Sequence, residues 1–371
     1  MNRLIIRNFR ENDQNNLRNI FSFLPGGIGF EHVFYKHSGF GPAHISVIED
    51  TERQRILGHY AILRVNWSVF GKVIPGGKGE GAALDPIGIA EAIKDGATVP
   101  NSLFSDLIKF SLNNSLDSGL EIICTNPNDL ALSGHLDSGH IILEHKYKIF
   151  LFIFNWRYLA HLFSKRINLK FLNNVLGVLF FVTLKFAFFL KTLVIKTINF
   201  EFEPIADFNE VSDALFNEFY IKNPCITINR QNNYLNWRLH DDRYKKFFIK
   251  YNGERIGYFV LDVFMNKNDF KEASLLDFII LPGYSGYFPA LIRQIVSLAR
   301  KEGCDLMRVG YVYDSKEKFN FSTYLQRLCF FSRLDKRNLT IFVSSKLGKM
   351  RKDLSDIRNW YFTDLYFEVY K

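Results

Sequence analysis

The 371-residue chain is 47% hydrophobic, with 38 Phe against 4 Trp and 4 Met, which excludes a disordered chain and leaves room for two domains. Cys124, Cys225, Cys304 and Cys329 are widely spaced and form no CxxC pair, which argues for buried free thiols over a zinc site or a disulfide frame. The formal charge of +9 suits anionic lipid, phosphate-bearing substrates or nucleic acid; with no zinc finger, RNP-like strand or long Arg-rich stripe, nucleic acid ranks last.

The opening "MNRLIIRNFRENDQNNLRNIF" has no continuous apolar core of signal-peptide type and reads as a strand, Leu4 to Ile6, then a polar turn and a helix. A cytoplasmic chain is expected. In "AHISVIEDTERQRILGHYAIL" apolar residues alternate on both sides of a polar turn at 49–54, as a hairpin requires. "GKGEGAALDP" is a small-residue strand ending at Asp85–Pro86, and 87–98 reads as a loop or short helix. Leu103, Phe104, Leu107, Ile108, Leu112 and Leu116 recur at helical spacing. A strand (120–125), a short helix closed by Gly139 and a strand (141–143) complete a mixed α/β layer.

Residues 149–200 read as an apolar, basic, helical connector. Residues 175–195 match a membrane span in length but contain Lys185 and Lys191, and with Arg166 and Lys196 they fit a basic amphipathic element. Three alternatives stay open: an interfacial or substrate-facing helix, a buried inter-domain helix, and a true span.

The second half, 201–371, repeats the plan of 1–148. Asn252-Gly253 is a hairpin turn signal, and "RIGYFVL" matches "ILGHYAIL", with Gly257 and Gly58 in the same relation to the alternating residues. "ASLLDFIIL", a helix from Phe288 to Arg300, "GCDLMRVGYV", a short helix near Tyr324–Leu328 and a strand "NLTIFVSS" follow.

The "GHYAI" strand, "GEGAALD", "CTNPND…GHLDSG" and "YLNWRLHDDRYKKFF" together resemble a divergent branch of the Gcn5-related N-acetyltransferase (GNAT) superfamily, of the tandem type met in bacterial surface-polysaccharide gene sets. The resemblance implies a tandem acyl-CoA N-acyltransferase fold. It also implies acetyl-CoA or another acyl-CoA as co-substrate, bound against a splayed strand pair, with no metal. The superfamily's Gly-rich pyrophosphate turn is missing: the equivalent "KDGATVPNSLFSDLI" offers only Asn101 and Ser102 at a helix start.

Acyl transfer to an amine needs a base, an oxyanion donor and a proton for the leaving thiolate. The resemblance points to Glu80, in the central strand, as base, and its small neighbours are expected to leave room for substrate. Asp85 is an alternative base or a strand-end cap. Asn126 and Asn128 follow the next strand, where Pro127 ends pairing; they hold the thioester arm or form the turn and cap the helix. His135 stands near where relatives place a Tyr general acid. His59, Arg238 and Asp364 are candidates for the acceptor side, with Arg238 free to clamp a carboxylate or phosphate or to pair with Asp241 or Asp242.

The function expected is acyl-CoA-dependent N-acylation, acetylation first, of an amino sugar or a lipid-linked sugar precursor for a surface polysaccharide. The enzyme would be cytoplasmic, touch the inner membrane face through 149–200, and be a monomer or dimer. The alternatives are a non-catalytic GNAT-fold protein that binds a glycolipid or partner enzyme, with one half or both as scaffold, and an aminoacyl-tRNA-dependent transferase of the peptidoglycan-bridge type.

Overall fold

The computed structural model describes residues 3–21, 39–144, 146–165, 167–195, 198–313, 321–335 and 338–367. Arg166 and Lys196 lie outside them. Alternating and fully apolar runs become strands β1 Leu4–Asn8, β2 His44–Asp50, β3 Arg55–Val69, β4 Lys72–Leu84, β5 Ile122–Thr125, β6 Ile141–Ile142, β7 Lys146–Ile153 and β8 Glu201–Ile205. They continue as β9 Ile226–Ile228, β10 Tyr244–Tyr251, β11 Glu254–Met265, β12 Lys271–Ile280, β13 Leu306–Tyr313, β14 Phe331–Asp335 and β15 Thr340–Val343. One sheet runs β1-β2-β3-β4-β5-β15-β6, with β9 also on β3; the other runs β14-β7-β13-β12-β11-β10-β8.

The two sheets share a plan. In each, a long antiparallel meander ends in a strand that pairs in parallel with the next: β4 with β5, and β12 with β13. The hairpin signal at Asn252-Gly253 is realised with φ of 51° and 84°, the left-handed pair that a tight two-residue turn demands.

The sheets do not divide where the chain divides. Strand β7 pairs with β13 and β14 in the second sheet, and β15 pairs with β5 and β6 in the first. Residues 149–153, read from sequence as the start of a helical connector, are therefore a strand. The run "IFLFI" has neighbours on both edges and buries Ile149, Phe150, Phe152 and Ile153, so its pattern is continuous and cannot be told from a helix by period.

The 87–98 stretch contains a helix, Pro86–Lys94. Asp85 starts it by accepting the Gly88 N–H at 2.9 Å, with Pro86 in the first turn. That helix and Leu103–Asp117 cover one face of the first sheet through Tyr60, Ile62, Leu107, Ile108 and Ile123. Its other face turns toward the second half, where Trp67 meets Trp360 at 5.4 Å. The segment from Trp360 to Phe367 is buried between the halves, as its aromatic content implies.

The connector continues as helices Trp156–Ser164 and Lys170–Leu193. The latter is long and apolar enough to cross a membrane by length and composition, and only 6% of its apolar window is buried. The buried inter-domain alternative does not fit it.

Candidate active site

The site is built where β4 and β5 part. Their last paired residues are Gly79 and Thr125. Beyond them β5 ends in Asn126-Pro127-Asn128, and β4 runs on through Glu80–Leu84 with β3 as its only partner strand among the described residues. The backbone of β4 thus keeps a free edge facing the gap, able to pair with the amide groups of an extended arm. Opposite Tyr60 the β3–β4 register slips, and Gly81 takes a φ of 62°, a bulge that glycine permits.

The small residues of β4 serve the core before they serve a substrate. A Cβ on Gly79 would lie 2.2 Å from the Tyr60 hydroxyl, and one on Gly76 would strike the Trp67 indole at 2.4 Å. Large side chains from β3 cross the strand there, so the room expected from sequence is filled at these positions.

Glu80 lies on the face of β4 that looks into the space between the halves. It forms an ion pair with Lys78, two residues back on the same face, and both side chains are nearly buried. The Lys78 ammonium sits 4.9 Å from the centre of the Tyr366 ring. Burial pulls the Lys78 pKa below its ordinary value; Glu80 opposes the shift, and the nearby Arg238 guanidinium adds to it. Arg238 ends helix Asn232–Arg238, is 7% exposed, and its Nη2 has no hydrogen-bond partner among the described residues. Tyr234 of the same helix is held up to about 12 by burial and feels charges from both halves: Arg238, Arg230, Asp277 and Glu80. Two buried cations thus face one carboxylate beside the free edge of β4.

The second sheet repeats the arrangement. Glu80 pairs with Ala61, three residues after Gly58; Asp277 pairs with Val260, three residues after Gly257. A register slip adjoins Asp277 too, at Val260/Leu261, just past the last β12–β13 pair, Leu275 with Val309. Asp277 is fully buried and bound by Arg230 (Nε to Oδ2, 3.0 Å), the Tyr258 hydroxyl (3.0 Å) and the Thr363 hydroxyl (2.7 Å). Burial works against the Arg230 charge, but Asp277 more than restores it. Sequence reasoning passed over Lys78, Arg230 and Asp277. The one signal was Asp277 in "LLDFIIL", at the place Glu80 holds in the first half.

The other expected residues scatter. His59 is fully buried beneath the bulge, its Nδ1 2.7 Å from the Gly81 carbonyl, and burial brings its pKa down to about 4. Asn126 is half-buried at the end of β5, and the exposed Asn128 caps helix Asp129–Asp137 by accepting the Ala131 N–H at 2.9 Å. Asn338 ties this loop down by donating to the Pro127 carbonyl and to Asp129.

His135 is fully buried behind the slot. Its ring lies 5.5 Å from Tyr60 and 4.8 Å from His140, neither ring nitrogen has a hydrogen-bond partner among the described residues, and burial with His140 takes the pKa down to about 3. Asn101 and Ser102 are exposed at the start of helix Leu103–Asp117, where the Ser102 hydroxyl donates to Asp106 at 2.6 Å. Asp85 holds the start of the preceding helix and pairs with Arg55. Asp364 is buried at the second sheet, 3.3 Å from Arg308. Among the described residues no group of His, Cys, Asp and Glu has the makings of a metal site.

No protein-family model matches the chain, and no curated protein matches it in sequence. Its fold is shared with a conserved protein of unknown function from Enterococcus faecalis, termed a probable N-acyltransferase (TM-score 0.60, 9% identity, 92% of this chain and 72% of that one). A GCN5-related N-acetyltransferase from Anabaena variabilis gives TM-score 0.57 at 12% identity over 92% and 73% of the two chains. Saccharomyces cerevisiae N-myristoyltransferase with bound myristoyl-CoA gives 0.53 at 10% over 92% and 79%. The architecture is the GNAT acyltransferase fold in two similar halves.

Proposed function

We propose that the chain is an acyl-CoA-dependent N-acyltransferase whose first half carries the reaction, with Glu80 as general base. The observation that carries this reading is the difference between the two parted strand pairs. Glu80 to Leu84 stay partly exposed along the free edge of β4. Their counterparts from Leu276 to Ile280 are all buried. There the Tyr361 hydroxyl already donates to the Phe278 carbonyl at 2.7 Å, and the rings of Phe288 and Phe321 pack on Phe278. The second slot is plugged by its own chain.

In the open slot the thioester would lie along β4. An acceptor amine attacks the thioester carbonyl, the C–N bond forms, Glu80 takes the amine proton, and the C–S bond breaks to release the thiolate. Lys78 fixes the carboxylate of Glu80. Beside Lys78 and Arg238 an ammonium is disfavoured, so the amine enters neutral and ready to attack. The unsatisfied Nη2 of Arg238 is placed to meet an anionic or carbonyl oxygen of the acceptor. The resemblance of the "CTNPND" and "YLNWR" motifs to surface-polysaccharide proteins directs the acceptor search to amino sugars and their lipid-linked forms, with acetyl the first acyl group to try.

Calorimetric titration of acetyl-CoA, followed by an amino-sugar acceptor screen, tests this. Wild type and Glu80→Gln are expected to bind alike, with turnover lost only in the variant. One observation favours a second reading, a non-catalytic GNAT-fold binder: both helix starts after β4 already carry carboxylates, Asp85 and Asp106, where a pyrophosphate would sit. Folded protein that binds no acyl-CoA at millimolar concentration supports that reading instead.

A further inference from the structure

Nine of the chain's 47 Lys and Arg lie between residues 145 and 200, where there is no Asp or Glu. Outside that stretch 38 basic residues face 38 acidic ones, so the whole excess of +9 sits on the segment that carries the exposed apolar helix.

Helix Lys170–Leu193 is fastened to the body along one side. Asn173 is buried and donates to the Ile167 carbonyl at 2.9 Å. A Cβ on Gly177 would come within 3.0 Å of the Ala160 backbone nitrogen; Phe180 stacks on Phe331 at 5.8 Å, and Phe188 meets Phe152 at 4.8 Å. Positions 173, 177, 180 and 188 form one helical stripe. The opposite stripe is apolar and bare: Phe171 is 81% exposed, Leu179 and Val182 60%, Phe186 62% and Leu193 65%. No charged side chain falls on it. Lys185 projects from one flank, and the exposed Lys170 and Lys191 stand near the two ends of the helix on the fastened side, away from the bare stripe, where long stems let the ammonium groups reach headgroups.

We propose that this helix docks the protein on an anionic bilayer, lying in the plane of the interface with its bare stripe among the acyl chains. A perpendicular span is ruled out by the fastening. The edge strand β14 and its neighbour β7 would have to enter the hydrocarbon with the helix, together with Lys148 and Arg333. The surface also offers a site for an anionic headgroup. A cavity of about 420 Å³ opens between helices Trp156–Ser164 and Lys170–Leu193, lined by Arg157, His161, Lys170 and Asn174, and the buried His161 Nε2 there has no hydrogen-bond partner among the described residues. That cavity is of a size and charge to take a lipid phosphate. The proposal is independent of the chemistry assigned to Glu80.

Flotation of the full-length protein with vesicles of phosphatidylcholine alone, or with about a third phosphatidylglycerol, tests it, with acetate and phosphate buffers as controls for free anions. Binding is expected to the anionic vesicles, at least about tenfold stronger than to the neutral ones, and weakened by salt. Leu179→Glu with Phe186→Glu is expected to abolish it in protein that keeps its far-UV spectrum. Arg157→Gln with Lys170→Gln leaves the apolar stripe intact and is expected to erase the preference for anionic lipid. Failure of the wild type to float overturns the proposal, as does undiminished binding by the Leu179/Phe186 variant. A dimer that falls apart in that variant, with no vesicle binding, would instead assign the stripe to a second copy of the chain.

Discussion

Replacing His135 by methionine is expected to relieve acid sensitivity of the fold. Both ring nitrogens are buried without hydrogen-bond partners among the described residues, and the neighbours are the rings of Tyr60, Phe104 and His140, so a thioether of similar volume fits the site. The imidazole of the unfolded chain titrates near its ordinary value of 6.5, the buried one at about 3. The unfolded state therefore binds a proton that the native state refuses. Stability is whole above about pH 6.5 and falls as the pH drops toward the folded value. At about pH 4.5 the gap is about two pH units, or on the order of 3 kcal/mol. His59 and His140, each at about 4 in the fold, add a similar amount apiece. All three act in the same direction, so the loss of stability on the acid side exceeds that of His135 alone. Urea denaturation of wild type and His135→Met at about pH 7 and about pH 4.5 measures the effect. The variant should gain on the order of 3 kcal/mol on the wild type between the two conditions. A difference that does not change with pH would refute the buried, neutral state of this ring.

Three further predictions rest on other parts of the molecule. Glu80→Gln is expected to lower turnover by about 10²- to 10⁴-fold with acyl-CoA binding kept, read by calorimetry beside steady-state rates. Asp277→Asn leaves the Arg230 charge buried and uncompensated, at a cost of about 3–5 kcal/mol in chemical denaturation; Arg230→Met with Asp277→Leu should restore most of it, and an equal loss in single and double variants would dismiss the coupling. Gly79→Ala drives a methyl into the Tyr60 hydroxyl and is expected to cost about 1–3 kcal/mol. Adding Tyr60→Phe should recover part of that in thermal unfolding, and additivity of the two changes would contradict the contact.

Much of the fold could be read from local signals. Asn252-Gly253 fixes one hairpin, Pro127 ends a strand where the first sheet opens, and Gly58 and Gly257 mark matching positions in two meanders. Glu80 was legible because a lone carboxylate in a small-residue central strand stands out. Arg238, whose charge acts on Lys78, was visible only as a candidate, since the fold rather than the spacing brings helix Asn232–Arg238 to β4. Asp277 is hidden in an apolar run, and Arg230 lies 47 residues before it, in a polar stretch that looks like any loop. His59 and His135 suggested chemistry by residue type; what decides their state is burial, to which all-round packing contributes more than any neighbour in sequence. Strands β7 and β15 defeated chain order itself, because pairing across some two hundred residues leaves no local trace.

That exchange has a consequence for how the molecule comes into being. On the ribosome, the first sheet has all of β1 to β5 available once residue 125 has emerged, yet the place between β5 and β6 stays vacant until Thr340–Val343 are synthesised. Strand β7, for its part, is made early and waits for β13. Neither half can close by itself, so the nascent chain holds two unfinished sheet edges through most of its synthesis, a state that invites pairing with strangers. A gene cut between the halves would express two fragments, each missing a strand that only the other can lend.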